Sequence, residues 1–167
     1  MVMKRWFLKL AIGLVLITSV CHVSSADPKS EHIVIAERYF RGVYTSDLSV
    51  VDDLVAEDIT VSYPIFESLF GSPTLQGREA VRSLVTWFEQ RWADTQIEFI
   101  ETVSEGDRVV LMWSLRARYI VPLERDQQAI NPEHIWSGIS LFRFDNAGKI
   151  VEEIGYESKP RPTQIEK

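Results

Sequence analysis

Residues 96–121 read QIEFIETVSEGDRVVLMWSLRARYIV, and this stretch decides the fold class. Apolar and polar side chains alternate on both sides of Glu105-Gly106-Asp107. A period of two is that of a strand, not a helix. A glycine flanked by acids marks a turn. Gln96–Val103 and Arg108–Val121 are therefore expected to form an antiparallel pair. Alternation puts Val109, Leu111, Trp113, Leu115, Ala117 and Tyr119 on one face of the second strand, and Arg116 and Arg118 on the other.

Towards the C-terminus the pattern continues. His134–Phe144 is expected as a strand, Asp145-Asn146-Ala147-Gly148 as its turn, and Lys149–Tyr156 as the last strand. Pro122–Pro132 reads as a polar loop, and Pro160 and Pro162 sit in a polar tail over 159–167. Towards the N-terminus the period becomes helical. Asp27-Pro28 suits a helix start, and Ile35, Ala36, Tyr39, Phe40 and Val43 recur on one face. Thr45-Ser46-Asp47 ends that helix and caps a short second one with Val50, Val51, Leu54 and Val55 inward. Ile59–Tyr63 reads as a brief strand stopped by Pro64, and 65–76 as a loop with room for one helical turn. A third helix after Gly77 carries a stripe of Val81, Leu84, Val85, Phe88 and Trp92. Helices first and antiparallel strands afterwards is an α+β order. Three helices on one curved antiparallel sheet leave a concave face.

The first 26 residues have the parts of a secretory leader. Lys4, Arg5 and Lys9 form a basic region, an apolar run extends to Val20, and Ser24-Ser25-Ala26 supplies small residues before a cut at Asp27. The apolar run is about half the roughly 20 residues a membrane span needs. The expectation is a cleaved signal over 1–26, a domain over 27–158, and a periplasmic or secreted product free of the membrane. A lipid on Cys21 is the less favoured alternative, because Val20 rather than a small residue precedes it. Cleavage removes the single cysteine and three basic residues, so the net charge moves from −6 to −9 over the remaining 141 residues. That charge argues against a nucleic-acid partner. Thiolate metal sites and disulfides are excluded from the remainder. The two remaining histidines, His32 and His134, lack ligand spacing for a metal, and no cofactor is called for.

The motifs now in hand resemble a known superfamily. Glu37-Arg38-Tyr39-Phe40, Ser46-Asp47-Leu48, the run from Ala56 to Pro64, Gln76-Gly77-Arg78-Glu79-Ala80-Val81, Glu105-Gly106-Asp107-Arg108-Val109, and Phe142-Arg143-Phe144 through Glu152 occur in order. Together they are similar to a SnoaL-like domain of the nuclear transport factor 2-like superfamily. The resemblance spans roughly Glu31–Tyr156. It implies a cone-shaped, half-open barrel around a pocket, often paired through its outer sheet face. The superfamily includes ketosteroid isomerases, polyketide cyclases, dehydratases, epoxide hydrolases and domains that only bind, so fold does not fix the reaction.

The isomerase pattern wants a tyrosine in the first helix, present here as Tyr39, and two acids. The acid positions hold Tyr63 and Ser140. A phenol with a pKa of about 10 does not replace a carboxylate base, so that mechanism is rejected. The cyclases show an Asp near position 155, where this chain has Gly155. Strand parity supplies other candidates. His134, Trp136, Gly138, Ser140 and Phe142 are expected on the pocket face, with Gly138 making room among bulky neighbours. Glu152 shares a face with Ile150, Ile154 and Tyr156, which makes it the carboxylate expected to be buried and raised towards acid–base range.

The reading is a domain that binds a small, largely apolar molecule in a pocket walled by Tyr39, Tyr63, Trp113, Tyr119, Trp136 and Ser140. Trp87 and Trp92 read as helix packing, and the 65–70 loop as a possible cover over the mouth. Two alternatives stay open. One is a non-catalytic interaction module with a self-filled cone, dimeric through Val110, Met112, Ile139 and Leu141. The other is a lyase or hydrolase using Glu152 and His134 as acid and base.

Overall fold

The computed structural model describes residues 28–120 and 133–163. The leader, Cys21, the loop over 122–132 and the last four residues lie outside them. The order is α1 (Pro28–Tyr44), α2 (Ser49–Leu54), β1 (Val55–Ser62), α3 (Pro64–Phe70), β2 (Thr74–Gln76), α4 (Arg78–Glu89), β3 (Trp92–Glu105), β4 (Arg108–Tyr119), β5 (Glu133–Phe144), β6 (Ile150–Glu157) and β7 (Arg161–Pro162). This is the expected α+β class. The sheet runs β2-β1-β6-β5-β4-β3, antiparallel except where β1 lies parallel to β6. Its two ends do not pair with each other, so the curved sheet stays open.

The helices form where apolar residues recur at helical spacing. α1 buries Ala36, Tyr39, Phe40 and Val43 against the concave face. It ends at Ser46, in the left-handed region at φ 66°, and Asp47 Oδ1 accepts from the Ser49 N–H and hydroxyl to start α2. α4 buries Val81, Val85 and Phe88. Arg38 with Asp53, Arg118 with Asp94, and Arg82 with Asp52 are ion pairs at the exposed rim, where each contributes about 0–1 kcal/mol.

Three segments differ from the sequence reading. The stretch after Tyr63 is helix α3, because Pro64 occupies its first turn and Gly71, at φ 77°, closes it; the described residues thus hold four helices rather than three. β2 follows and pairs with β1. The tail does not run free. Arg161 and Pro162 pair with Ile135 and His134 of β5, and the Ser158 N–H donates to the Ser137 carbonyl.

The difference that matters for function is one residue long. Phe144 faces Ile150, but Arg143 faces Glu152. Val151 is therefore an extra residue in β6, a bulge just after the turn, and a bulge flips every later side chain to the other face. Ile150 points inward and is buried, and then so do Glu153, Gly155 and Glu157.

Candidate functional site

Inside the sheet, four of the expected residues meet around a carboxylate that the sequence reading placed on the other face. Tyr63 leaves the end of β1, just before Pro64 turns the chain into α3. Its hydroxyl donates to Glu153 Oε1 at 2.5 Å. It is also 2.6 Å from Ser140 Oγ on β5, and Trp113 Nε1 on β4 donates to that same Oγ at 2.9 Å. A phenol has one proton. Since Tyr63 gives it to Glu153, the Ser140 hydroxyl must donate to Tyr63. The bonds therefore run one way: indole to serine, serine to tyrosine, tyrosine to carboxylate. Tyr39 from α1 completes the shell. Its hydroxyl is buried without a hydrogen-bond partner but lies within electrostatic reach of Glu153.

Burial dominates the titration of this group. Glu153 is 5% exposed, and its carboxyl is pushed up to about 7 by loss of solvent, with the hydrogen bond from Tyr63 and the nearby Tyr39 hydroxyl pulling back. The Tyr63 and Tyr39 phenols are pushed well above their ordinary value, by burial first and then by the Glu153 charge.

Glu152, the carboxylate expected here, is half-buried on the outer face and ion-paired to Arg143 at 2.5 Å. The bulge at Val151 is the reason. A signal for it exists in the sequence. The cyclase pattern puts position 155 on the pocket face, whereas strict alternation from Ile150 puts it outside. Only an inserted residue reconciles the two, and it brings Glu153 and Glu157 inward with Gly155.

Both glycines on the inner face make room for an aromatic ring. A Cβ at Gly138 would stand 2.5 Å from Trp113 Cζ2, and one at Gly155 would stand 2.0 Å from Tyr63 Cε1. Gly155 thus does not vacate a catalytic position. It accommodates the tyrosine whose hydroxyl holds Glu153.

Towards the open end of the sheet the interior is not filled. A cavity of about 280 Å³ lies between α1, α3, α4 and the sheet. Tyr44, Trp87, Phe88, Trp92, Tyr119 and Trp136 form most of its wall, with Ile65, Phe66 and Leu69 of α3 on one side. The expected pocket residues therefore divide. Tyr119 and Trp136 line the cavity. Tyr39, Tyr63, Trp113 and Ser140 belong to the packed interior. Trp87 and Trp92, read as helix packing, are cavity wall. His134 stands beside the mouth, edge-on to Trp92 and Tyr119 with centroids 5.3 and 6.0 Å away.

Among the described residues two charged side chains reach the cavity, Arg91 and Glu157. Arg91 stacks its guanidinium over Trp87 at 4.4 Å and donates to the Trp87 carbonyl. Glu157 Oε2 is buried and has no hydrogen-bond partner among the described residues. Burial, and secondarily the Glu153 charge, push the Glu157 carboxyl up to about 7. Among the described residues no group of three His, Cys, Asp or Glu side chains is placed to hold a metal ion.

A family model of the SnoaL-like domain matches residues 36–153. Among solved structures, an NTF2-like protein of unknown function from Burkholderia pseudomallei is similar at 17% identity over 75% of this chain and 88% of that one, with a TM-score of 0.60. A putative SnoaL-like polyketide cyclase from Jannaschia is similar at 12% identity over 81% and 91%, with a TM-score of 0.64. An LEH-like epoxide hydrolase from M. tuberculosis is similar at 14% identity over 79% and 86%, with a TM-score of 0.59. Identities this low establish likeness of fold alone. No curated protein matches the chain in sequence.

Proposed function

The chain belongs to the SnoaL-like domain family, and from that premise we propose that it is an exported member that binds a small, largely apolar molecule in the cavity between α3, α4 and the sheet. The observation that carries this reading is the aromatic-walled space of about 280 Å³, just under the usual range for small-molecule sites. The leader pattern in residues 1–26 supports export to the periplasm or beyond.

Leu84 tests the binding reading. It projects from α4 into the cavity, so Leu84→Trp fills the space without touching the Glu153 cluster. The neutral fluorophore N-phenyl-1-naphthylamine is expected to brighten with the native protein and to lose at least about tenfold in affinity with the variant, since a filled pocket leaves no room for the apolar contact area. Equal brightening with both proteins would exclude this cavity as the site.

The interaction-module reading keeps one specific support. Met112, Ile139 and Tyr156 are exposed and adjacent across β4, β5 and β6, with Met112 opposite Ile139 and Ile139 opposite Tyr156. Such a patch on an outer sheet face suits a self-complementary dimer. Ile139→Lys is expected to convert a dimer to a monomer in sedimentation while leaving the thermal midpoint of the monomer fold intact; a native protein that sediments as a monomer would remove this reading.

Acid–base chemistry through Glu152 loses its geometric basis, because that carboxylate is bound to Arg143 outside the cone. Within the cone the groups able to hold a proton near neutral pH are Glu153 and Glu157. Of these two, Glu157 borders the cavity.

A further inference from the structure

The binding reading leaves open what polarity the bound molecule carries, and the cavity's own residues bear on that. An acid whose oxygen is buried and unpaired is costly unless a partner arrives. Glu157 is such a group. It lies at the end of β6, opposite Gly138, and its Oε2 faces no donor among the described residues. The other charged residue of the wall, Arg91, is already engaged with the ring and carbonyl of Trp87. The remaining wall is largely aromatic: Tyr44, Phe88, Trp92, Tyr119 and Trp136. Aromatic faces attract cations, and a desolvated aromatic enclosure closed by one carboxylate is the arrangement that suits an ammonium group on an apolar body.

We propose that the cavity is a site for a small hydrophobic amine, its ammonium group donating to Glu157 and its apolar body lying against Trp92, Tyr119 and Trp136. This rests on the binding reading above and gives it a ligand class. A cation there satisfies the orphaned oxygen and offsets the mutual repulsion of Glu157 and Glu153. The acidity of the domain, with a formal net charge of −6 for the whole chain, adds a general attraction for cations.

Three probes of one shape separate the possibilities: 2-phenylethylamine, 2-phenylethanol and 3-phenylpropanoate, titrated calorimetrically at pH 8. At that pH the Glu157 carboxyl, pushed up to about 7, is mostly ionised. Tyr44, Tyr119, Arg91, Glu153 and, beside the mouth, His134 are the titratable and charged groups around it. The amine is expected to bind about tenfold or more tighter than the alcohol, and the carboxylate most weakly. In Glu157→Gln, whose side chain has nearly the same shape, the amine and alcohol are expected to bind within about twofold of each other. Circular dichroism confirms that the variant is folded, and the native amine-to-alcohol ratio needs no variant at all. Alcohol binding without amine preference overturns the amine proposal and leaves the binding reading standing. Preferential binding of the carboxylate overturns it in favour of Arg91. Binding of none of the three, with no brightening of the neutral fluorophore, overturns both.

Discussion

Gly155→Ala is expected to cost about 3–5 kcal/mol of folding stability. The new methyl carbon would stand 2.0 Å from Tyr63 Cε1, 2.2 Å from Cζ and 2.6 Å from the hydroxyl. No pair of heavy atoms tolerates that approach, so ring or strand must move. The strand is held on both sides, by β5 through Ser140 opposite Gly155 and by β1 through the parallel pairing of Ser62 with Ile154. The ring is held by its hydroxyl, which bonds both Ser140 and Glu153. Overpacking alone costs about 1–3 kcal/mol, and a buried carboxylate that loses its donor adds about 1–3 more. The backbone at Gly155 is not left-handed, so the whole effect comes from the close approach.

Urea unfolding at fixed pH measures it, and a double-mutant cycle assigns it. In a Tyr63→Ala background the ring is gone, and adding Gly155→Ala is expected to cost under about 1 kcal/mol. If the single Gly155→Ala variant is within about 1 kcal/mol of native, the packing described for Tyr63 is wrong.

Much of this interior was legible in the sequence because it depends on period. Alternation in β4 placed Leu111, Trp113 and Leu115 inside, and all three are fully buried. Helical spacing found the inward face of α1 in the same way. The 64–70 segment reads as a loop with room for only one helical turn because its apolar residues, Ile65, Phe66, Leu69 and Phe70, are too few to show a period. Its helix is set by boundary residues, Pro64 and Gly71. The site failed at a different level. Parity counting propagates from one assumed in-facing residue, so a single extra residue at Val151 inverted the assignment of Glu152 and Glu153. Nothing local distinguishes the two adjacent glutamates. What separates them is the tertiary partner: Arg143 outside and the Tyr63 hydroxyl inside. The cavity was hidden for a related reason. Trp87 on α4 and Trp92 at the start of β3 sit among apolar residues at helical spacing, as packing residues would, and periodicity does not reveal whether a neighbour fills the space they face.

Stability is expected to fall as pH rises from 5 to 8, and Glu153→Gln is expected to remove a large part of that fall. The folded-state value for Glu153 is raised from an ordinary 4.5 to about 7. Between those values the native state holds a proton that the unfolded chain releases. Stability therefore decreases with pH through this window, the reverse of a carboxylate stabilised by an ion pair. A displacement of that size corresponds to about 3 kcal/mol, present in full below pH 4.5 and lost once pH passes about 7. Glu157 acts in the same direction, since its value is also raised to about 7 and partly by the Glu153 charge. The amide in Glu153→Gln keeps an oxygen to accept from Tyr63 and carries no charge. At pH 5 the variant and native protein are expected to agree within about 1 kcal/mol. At pH 8 the variant is expected to be about 2–3 kcal/mol more stable, because the native protein must then bury an ionised carboxylate that its two phenols only partly compensate. Urea titrations of both proteins at the two pH values read the difference directly. A variant less stable at pH 8 than native would mean that Tyr63 and Tyr39 hold Glu153 in its charged form, and that the one-way chain of donors from Trp113 exists to stabilise an anion, with the proton leaving Glu153 well below neutral pH.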